Sequence, residues 1–195
     1  MTKKDSPSNQ QGLEKVFLKT RTIIISSKVD EKLANSVISQ ALLLENDNPK
    51  LPIKILINSP GGEVTSGFAI FDTLNFISCP ICTIVTGLAA SMGSILSLCG
   101  EPGKILAMPN ARIMIHQPML GRAQGNVSDL EIQAEEMKKL RDSIISIYCN
   151  KTNKNYSTIK KDIERDNWMN PVEALKYGLI DKIIHTRSEL DALLK

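Results

Sequence analysis

Aromatic residues make up only 4% of this chain, and histidine occurs twice. Recognition of single-stranded nucleic acid needs stacking rings beside clustered cations. Here the formal charge is only +3, and the Lys-Lys pairs at 3–4, 138–139 and 160–161 lie far apart. No nucleic-acid footprint is expected, and these lysines read as solvated surface. Cysteine is also sparse, with Cys79, Cys82, Cys99 and Cys149. Cys79-Pro-Ile-Cys82 has the spacing of half a zinc or redox motif. No second pair or Cys/His cluster completes it, so neither a metal nor an organic cofactor is expected. Free buried thiols suit a reducing compartment, which makes the expected location cytoplasmic. Residues 1–12 lack the apolar run of a signal peptide. No charged residue occurs between Asp72 and Glu101, a stretch long enough to span a bilayer. Pro80, Gly87, Gly93, Ser91, Ser94 and Ser97 interrupt it, so it reads as a buried strand, turn and helix.

With 195 residues, the chain is expected to form one domain carrying an N-terminal arm. Strands are predicted at Thr22–Ser26, Ile53–Ile57, Ile81–Thr86, Lys104–Ala107 and Arg112–Ile115. Asp30 is predicted to cap a helix to about Glu45, with Leu33, Val37, Ala41 and Leu44 on one face. A second helix follows Gly62 and ends near Ile77, and Ser91 opens a third. Ser128 or Asn126 caps a long helix to about Asn150 with an apolar stripe of Val127, Leu130, Ala134, Met137, Ile144 and Tyr148. Such length exceeds what one domain needs internally, so part of the stripe is expected against another subunit. A charge at Ile144 or Tyr148 is then expected to disrupt assembly more than folding. The tail reads as a helix, a strand at Trp168-Met169, a helix from Pro171 and a strand at Lys182–Ile184. Alternation of apolar strands with helices predicts a largely parallel sheet covered on both faces.

The chemistry centres on Gly87-Leu-Ala-Ala-Ser91-Met-Gly93-Ser94. A serine hydroxyl is a weak nucleophile and needs a base, an orienting acid and donors for an oxyanion. Small residues on both sides of Ser91 permit a sharp strand-to-helix turn, as in a nucleophile elbow. Free amides at the helix start make Met92 N–H a natural oxyanion donor. His116, twenty-five positions later in Ile115-His-Gln-Pro118, is the candidate base, and His185 reads as surface. Pattern alone leaves Asp129, Asp162, Asp166 and Asp181 open as the acid. The loop Ile57-Asn-Ser-Pro-Gly-Gly62 ends a strand in two glycines, which can bring another amide to the oxyanion.

Together, Ile57-Asn-Ser-Pro-Gly-Gly62, Ala89-Ala-Ser-Met-Gly93, Met114-Ile-His-Gln-Pro118, Gln124-Gly125 and Glu164-Arg-Asp166 resemble the ClpP family, the proteolytic subunits of ATP-dependent Clp proteases. The resemblance covers about residues 21–185 and implies a crotonase-like α/β fold with stacked β-β-α units and a protruding handle helix. It implies an arm over 1–20, a peptidase domain over 21–195 and a handle at about 120–150. It implies a serine endopeptidase with Ser91 as nucleophile, His116 as base and Asp166 as acid, and with oxyanion amides at Gly62 and Met92. Arg122, Gln124, Gly125, Glu164 and Arg165 resemble residues of ring contact. The implied partners are further copies in two stacked seven-subunit rings, pure or mixed with a paralogue. The resemblance also implies an AAA+ unfoldase of the ClpX, ClpA or ClpC type that uses the ATP and feeds unfolded polypeptides to the rings.

The chain also departs from the family pattern. One extra residue lies between His116 and Asp166, assigned to Met119-Leu-Gly-Arg122. Gln11-Gly-Leu-Glu-Lys-Val16 replaces the Arg- and Tyr-rich stretch of the axial gate. Lys54 and Leu56 stand where aromatics often help to dock the unfoldase. A weakly active ring subunit and a crotonase-type acyl-CoA enzyme are the alternative readings.

Overall fold

The computed structural model describes residues 16–119, 121 and 124–194. The expected arm over 1–20 therefore lies largely outside the described residues, and residues 16–19 are helical. Isoleucine-rich runs build the sheet, because β-branched side chains pack well on a pleated, buried surface. Strands β1 (Thr22–Ile25), β2 (Ile53–Ser59), β3 (Ile81–Ala90), β4 (Ile105–Ala107) and β7 (Lys182–Ile183) run parallel in that order. β3 is four residues longer than predicted, and the extension builds the site. Its first half, Thr83–Val85, pairs with β4, while Leu88–Ala90 pairs with β5 (Arg112–Ile115). The register against β2 slips between Ile57 and Ser59. There Asn58 Oδ1 accepts the Leu88 N–H at 3.0 Å. It occupies space that a side chain at position 87 would enter, which accounts for Gly87. β6 (Asn167–Met169) closes the sheet antiparallel to β5.

One face carries the main core. Ile23, Ile25, Ile53, Ile55, Ile57 and Val85 are buried there in one cluster with residues of the helices. α1 (Glu31–Asp47) starts at Asp30, whose carboxylate accepts the Leu33 N–H at 2.8 Å. It buries Ala34, Val37, Ala41 and Leu44, with Leu33 at the edge of that face. α2 (Val64–Phe76) buries Gly67, Ile70 and Leu74. α3 (Met92–Ser97) is wholly buried, and Gly67 makes room for the Met92 side chain. Each isoleucine buried here contributes roughly 1.5–3 kcal/mol. Among the described residues, the opposite face is covered only in part, contrary to expectation. After α5 (Tyr156–Asp162) and α6 (Pro171–Tyr177) in the chain comes α7 (Arg187–Leu193), a helix the sequence pattern did not signal, and a smaller cluster of Cys82, Ile84, Leu106, Ile184 and Leu190 lies under it on this face.

α4 (Val127–Thr152) is about 39 Å long at 1.5 Å per residue. Asn126 caps it in a reciprocal box: its side chain accepts Asp129 N–H, and the Asp129 carboxylate accepts Asn126 N–H. The stripe divides. Val127 and Leu130 are 73% and 39% exposed, whereas Ile144 and Tyr148 are 4% and 1% exposed, and Ile132, beside the stripe, is 63% exposed. The expectation for Ile144 and Tyr148 is therefore corrected. They are core residues of this subunit, and the exposed apolar face is the first half of the helix. Ile144→Asp should unfold the subunit, because an unpaired buried carboxylate costs several kcal/mol. In the isolated subunit, Ile132→Asp should change the unfolding free energy by less than about 0.5 kcal/mol. Equal melting shifts in the two variants would contradict this division.

Candidate active site

The site forms where β2, β3 and β5 end on one side of the sheet. Ala90 pairs with Met114, and Ser91 N–H still donates to Met114 O at 2.9 Å. Ser91 and His116 thus leave the ends of adjacent parallel strands. Ile115 pairs with Asn167 in the antiparallel ladder of β5 and β6. Continuing that register one step sets His116 opposite Asp166. A second tie holds the pair, since Gln117 N–H donates to Ile163 O at 2.7 Å and its side-chain amide to Glu164 O at 3.2 Å.

Ser91 has φ 54° and ψ −124°, a region that non-glycine residues rarely occupy. Its side chain makes no cap hydrogen bond to the helix it precedes. Such a conformation costs on the order of 1–3 kcal/mol, and it presents the hydroxyl instead of turning it back on the backbone. The glycine loop presses close. A Cβ on Gly61 would lie 2.5 Å from Ala90 O and 2.8 Å from Met92 N, so only glycine fits. Val29 fixes the loop from outside, donating N–H to Gly61 O and accepting Glu63 N–H, both at 2.9 Å. Neither bond uses the Gly62 amide. Met92 N–H opens α3 and has no partner within the helix.

His116 Nε2 lies 2.8 Å from Ser91 Oγ, and Nδ1 lies 3.0 Å from Asp166 Oδ1. The imidazole is 9% exposed and the carboxylate 58%. The other acids that pattern left open are occupied elsewhere: Asp129 in the α4 cap, Asp162 by the Tyr177 hydroxyl at 2.6 Å, and Asp181 by Ile105 N–H at 2.9 Å. His185 donates its backbone N–H to Glu189 and stands apart from the site. A line of carboxylate, imidazole and hydroxyl at these distances can deprotonate the serine as it attacks an acyl carbon.

Residues that sequence reasoning did not assign also support the turn. Ser94 Oγ donates to Ser91 O at 2.6 Å, Ser97 Oγ to Ser94 O at 2.7 Å, and Thr83 Oγ1 to Ser97 O at 2.6 Å. The signal was present as serines at every third position inside an apolar run. Gln124 and Gly125 are exposed just before α4, and Glu164 and Arg165 are exposed in the turn before Asp166. Arg122 lies outside the described residues, as does Leu120, so the extra residue assigned to 119–122 is only partly described.

Burial raises the thiols of Cys79, Cys82 and Cys99, that of Cys82 to about 11, which leaves them protonated and inert. Among the described residues, no cluster of three His, Cys, Asp or Glu could hold a metal ion. No described helix is long and apolar enough to cross a membrane.

A family model described as Clp protease matches residues 6–187. The chain is 51% identical over 181 residues to ATP-dependent Clp protease proteolytic subunit 1 of Protochlamydia amoebophila, spanning 92% of this chain and 88% of that protein. It is 48% identical over 173 residues to an ATP-dependent Clp protease proteolytic subunit of Deinococcus radiodurans, spanning 89% and 84%. A protein of the same name from Bdellovibrio bacteriovorus is 45% identical over 173 residues, spanning 88% and 82%.

Proposed function

The chain belongs to the Clp protease family, and from that premise we propose that it hydrolyses peptide bonds with Ser91 as nucleophile, His116 as base and Asp166 as orienting acid. The observation that carries this reading is the hydrogen-bonded line from Asp166 through His116 to Ser91. Asp166 holds the imidazole proton on Nδ1 and leaves Nε2 free to accept from the hydroxyl. As Ser91 Oγ bonds to the scissile carbonyl carbon, its proton passes to Nε2. Asp166 stabilises the resulting imidazolium. The carbonyl oxygen becomes an oxyanion that the amides of Met92 and Gly62 receive. His116 then gives its proton to the departing amine, which leaves an acyl-enzyme on Ser91. Water, deprotonated by His116, releases the acid.

In the proposed assembly, this subunit works inside two stacked rings of seven, pure or mixed with a paralogue. Enclosure confines an otherwise unselective peptidase. The exposed apolar first half of α4 supports a ring contact there, and the proposal assigns Arg122, Gln124, Gly125, Glu164 and Arg165 to it. An AAA+ unfoldase supplies unfolded polypeptide and uses the ATP, so the peptidase chain itself needs no cofactor. Leu56 and Ile84 line a groove of about 270 Å³ with Met108, Ile184 and Leu190. Lys54, on the same strand as Leu56, stands near Arg187 and Asp191. Because family aromatics are missing at both positions, the proposal gives unfoldase docking to a paralogous ring. Tight binding of an unfoldase by rings of this chain alone would overturn that part. The expected location is the cytoplasm. Nothing favours the acyl-CoA or weakly active ring-subunit readings, since the relatives above are named as proteolytic subunits.

The test is a fluorophosphonate probe applied to the chain alone and with a paralogue, read beside native mass. Labelling at Ser91 is expected. Labelling only in the mixture would make this the dependent half of a two-subunit machine. No labelling in either would overturn the peptidase reading.

A further inference from the structure

Tyr148 sits deep on α4, and its hydroxyl lies 2.6 Å from Ser94 Oγ. Ser94 is also fully buried, and its oxygen is 2.6 Å from the carbonyl oxygen of Ser91. Proton accounting sets the direction of this chain. Ser94 carries one hydroxyl hydrogen, and a carbonyl can only accept. That hydrogen therefore goes to Ser91 O, and Tyr148 must donate to Ser94. Burial pushes the Tyr148 phenol far above its ordinary range, so it stays a neutral donor at any working pH. The Ser91 carbonyl additionally accepts Ser94 N–H at 2.9 Å and Ile95 N–H at 3.4 Å.

The carbonyl of Ser91 and the N–H of Met92 belong to one planar trans peptide, in which they point in opposite directions. Holding the oxygen in the core aims the N–H at the site. Donors on the oxygen also draw electron density from the nitrogen, which makes the N–H a stronger donor, and linked hydrogen bonds reinforce one another.

Resting on the serine-peptidase reading above, the geometry points to Tyr148 and Ser94 as positioning residues that orient and polarise the Met92 oxyanion donor through the Ser91 carbonyl. They touch neither substrate nor reacting atoms. Their effect is greatest when negative charge develops on the substrate, so it falls on kcat and spares KM. Complete loss of one oxyanion donor costs about 10²–10³-fold, and weakening it costs a fraction of that. Tyr148→Phe should lower kcat by about 3–10-fold and Ser94→Ala by about 10-fold or more.

A double-mutant cycle separates this role from simple packing. Ser94→Ala strands a buried Tyr148 hydroxyl and should lower the melting temperature. Adding Tyr148→Phe removes the stranded group and should restore it, because deleting both partners is nearly neutral. The lowered kcat should persist in the double variant. Affinity for a peptide boronate, whose tetrahedral adduct places an oxygen at the oxyanion site, should weaken by the same factor as kcat. Recovery of kcat together with stability, or an unchanged kcat and boronate affinity in folded Tyr148→Phe, would overturn the relay. Fluorophosphonate labelling of the unaltered chain is the control. If it labels and the variants are unaffected, only the relay fails, whereas absence of labelling sinks both proposals.

Discussion

Ser91→Ala is expected to lower peptide hydrolysis by on the order of 10⁶-fold, the loss typical when a serine nucleophile is removed from a working triad. Folding should survive. Only one oxygen is lost, and the backbone bonds from Ser91 N–H to Met114 O and from Ser94 N–H to Ser91 O do not depend on it. Alanine inherits the unfavourable φ of 54°. Glycine would not, so Ser91→Gly should be the more stable inactive variant, by roughly 1 kcal/mol. That ordering is informative, because it would mean that the native turn is held in a costly conformation to present the hydroxyl. Thermal melting and peptide hydrolysis, measured on all three proteins at equal native mass, check both parts. Appreciable turnover by assembled Ser91→Ala would mean that another residue is the nucleophile.

Asp166→Asn should reduce kcat by about 10⁴-fold with little change in KM. An asparagine amide facing His116 Nδ1 donates where the carboxylate accepted. The imidazole then keeps its proton on Nε2, the atom that has to receive the Ser91 proton. The exposure of Asp166 does not protect the variant, since the defect is one of tautomer and not of burial. Asp129→Asn and Asp181→Asn are the controls. Their carboxylates serve the α4 cap and the Ile105 amide, so both variants should retain near-normal kcat. If Asp129→Asn or Asp181→Asn matched Asp166→Asn, the assignment of the orienting acid would fail.

The contrast among these acids marks a boundary between local and long-range information. The strands were legible because runs such as Ile53–Ile57 and Ile81–Thr86 declare themselves within a few residues. Asp30 was legible as a cap, and Asn126 as one of two candidates beside Ser128, since a cap acts over three positions. Ser91 stood out through its small neighbours, and His116 because the chain holds only one other histidine. Asp166 entered through family resemblance, not through pattern, because fifty residues separate it from His116 and only strand pairing joins them.

Other features were beyond any local reading. α7 is seven residues of mixed polarity that covers part of the second sheet face through Leu190 and its neighbours. Leu130 and Ile144 look alike in a stripe, yet one lies in the exposed first half of α4 and the other in the core. Periodicity reports which side of a helix is apolar, but it says nothing about where along its length the rest of the chain ends. Local residue chemistry sets strands, caps and the candidate nucleophile. Register, the depth of each helix and the meeting of Tyr148 with Ser94 across fifty-four positions depend on packing between distant segments, whose free energy exists only once the chain has folded.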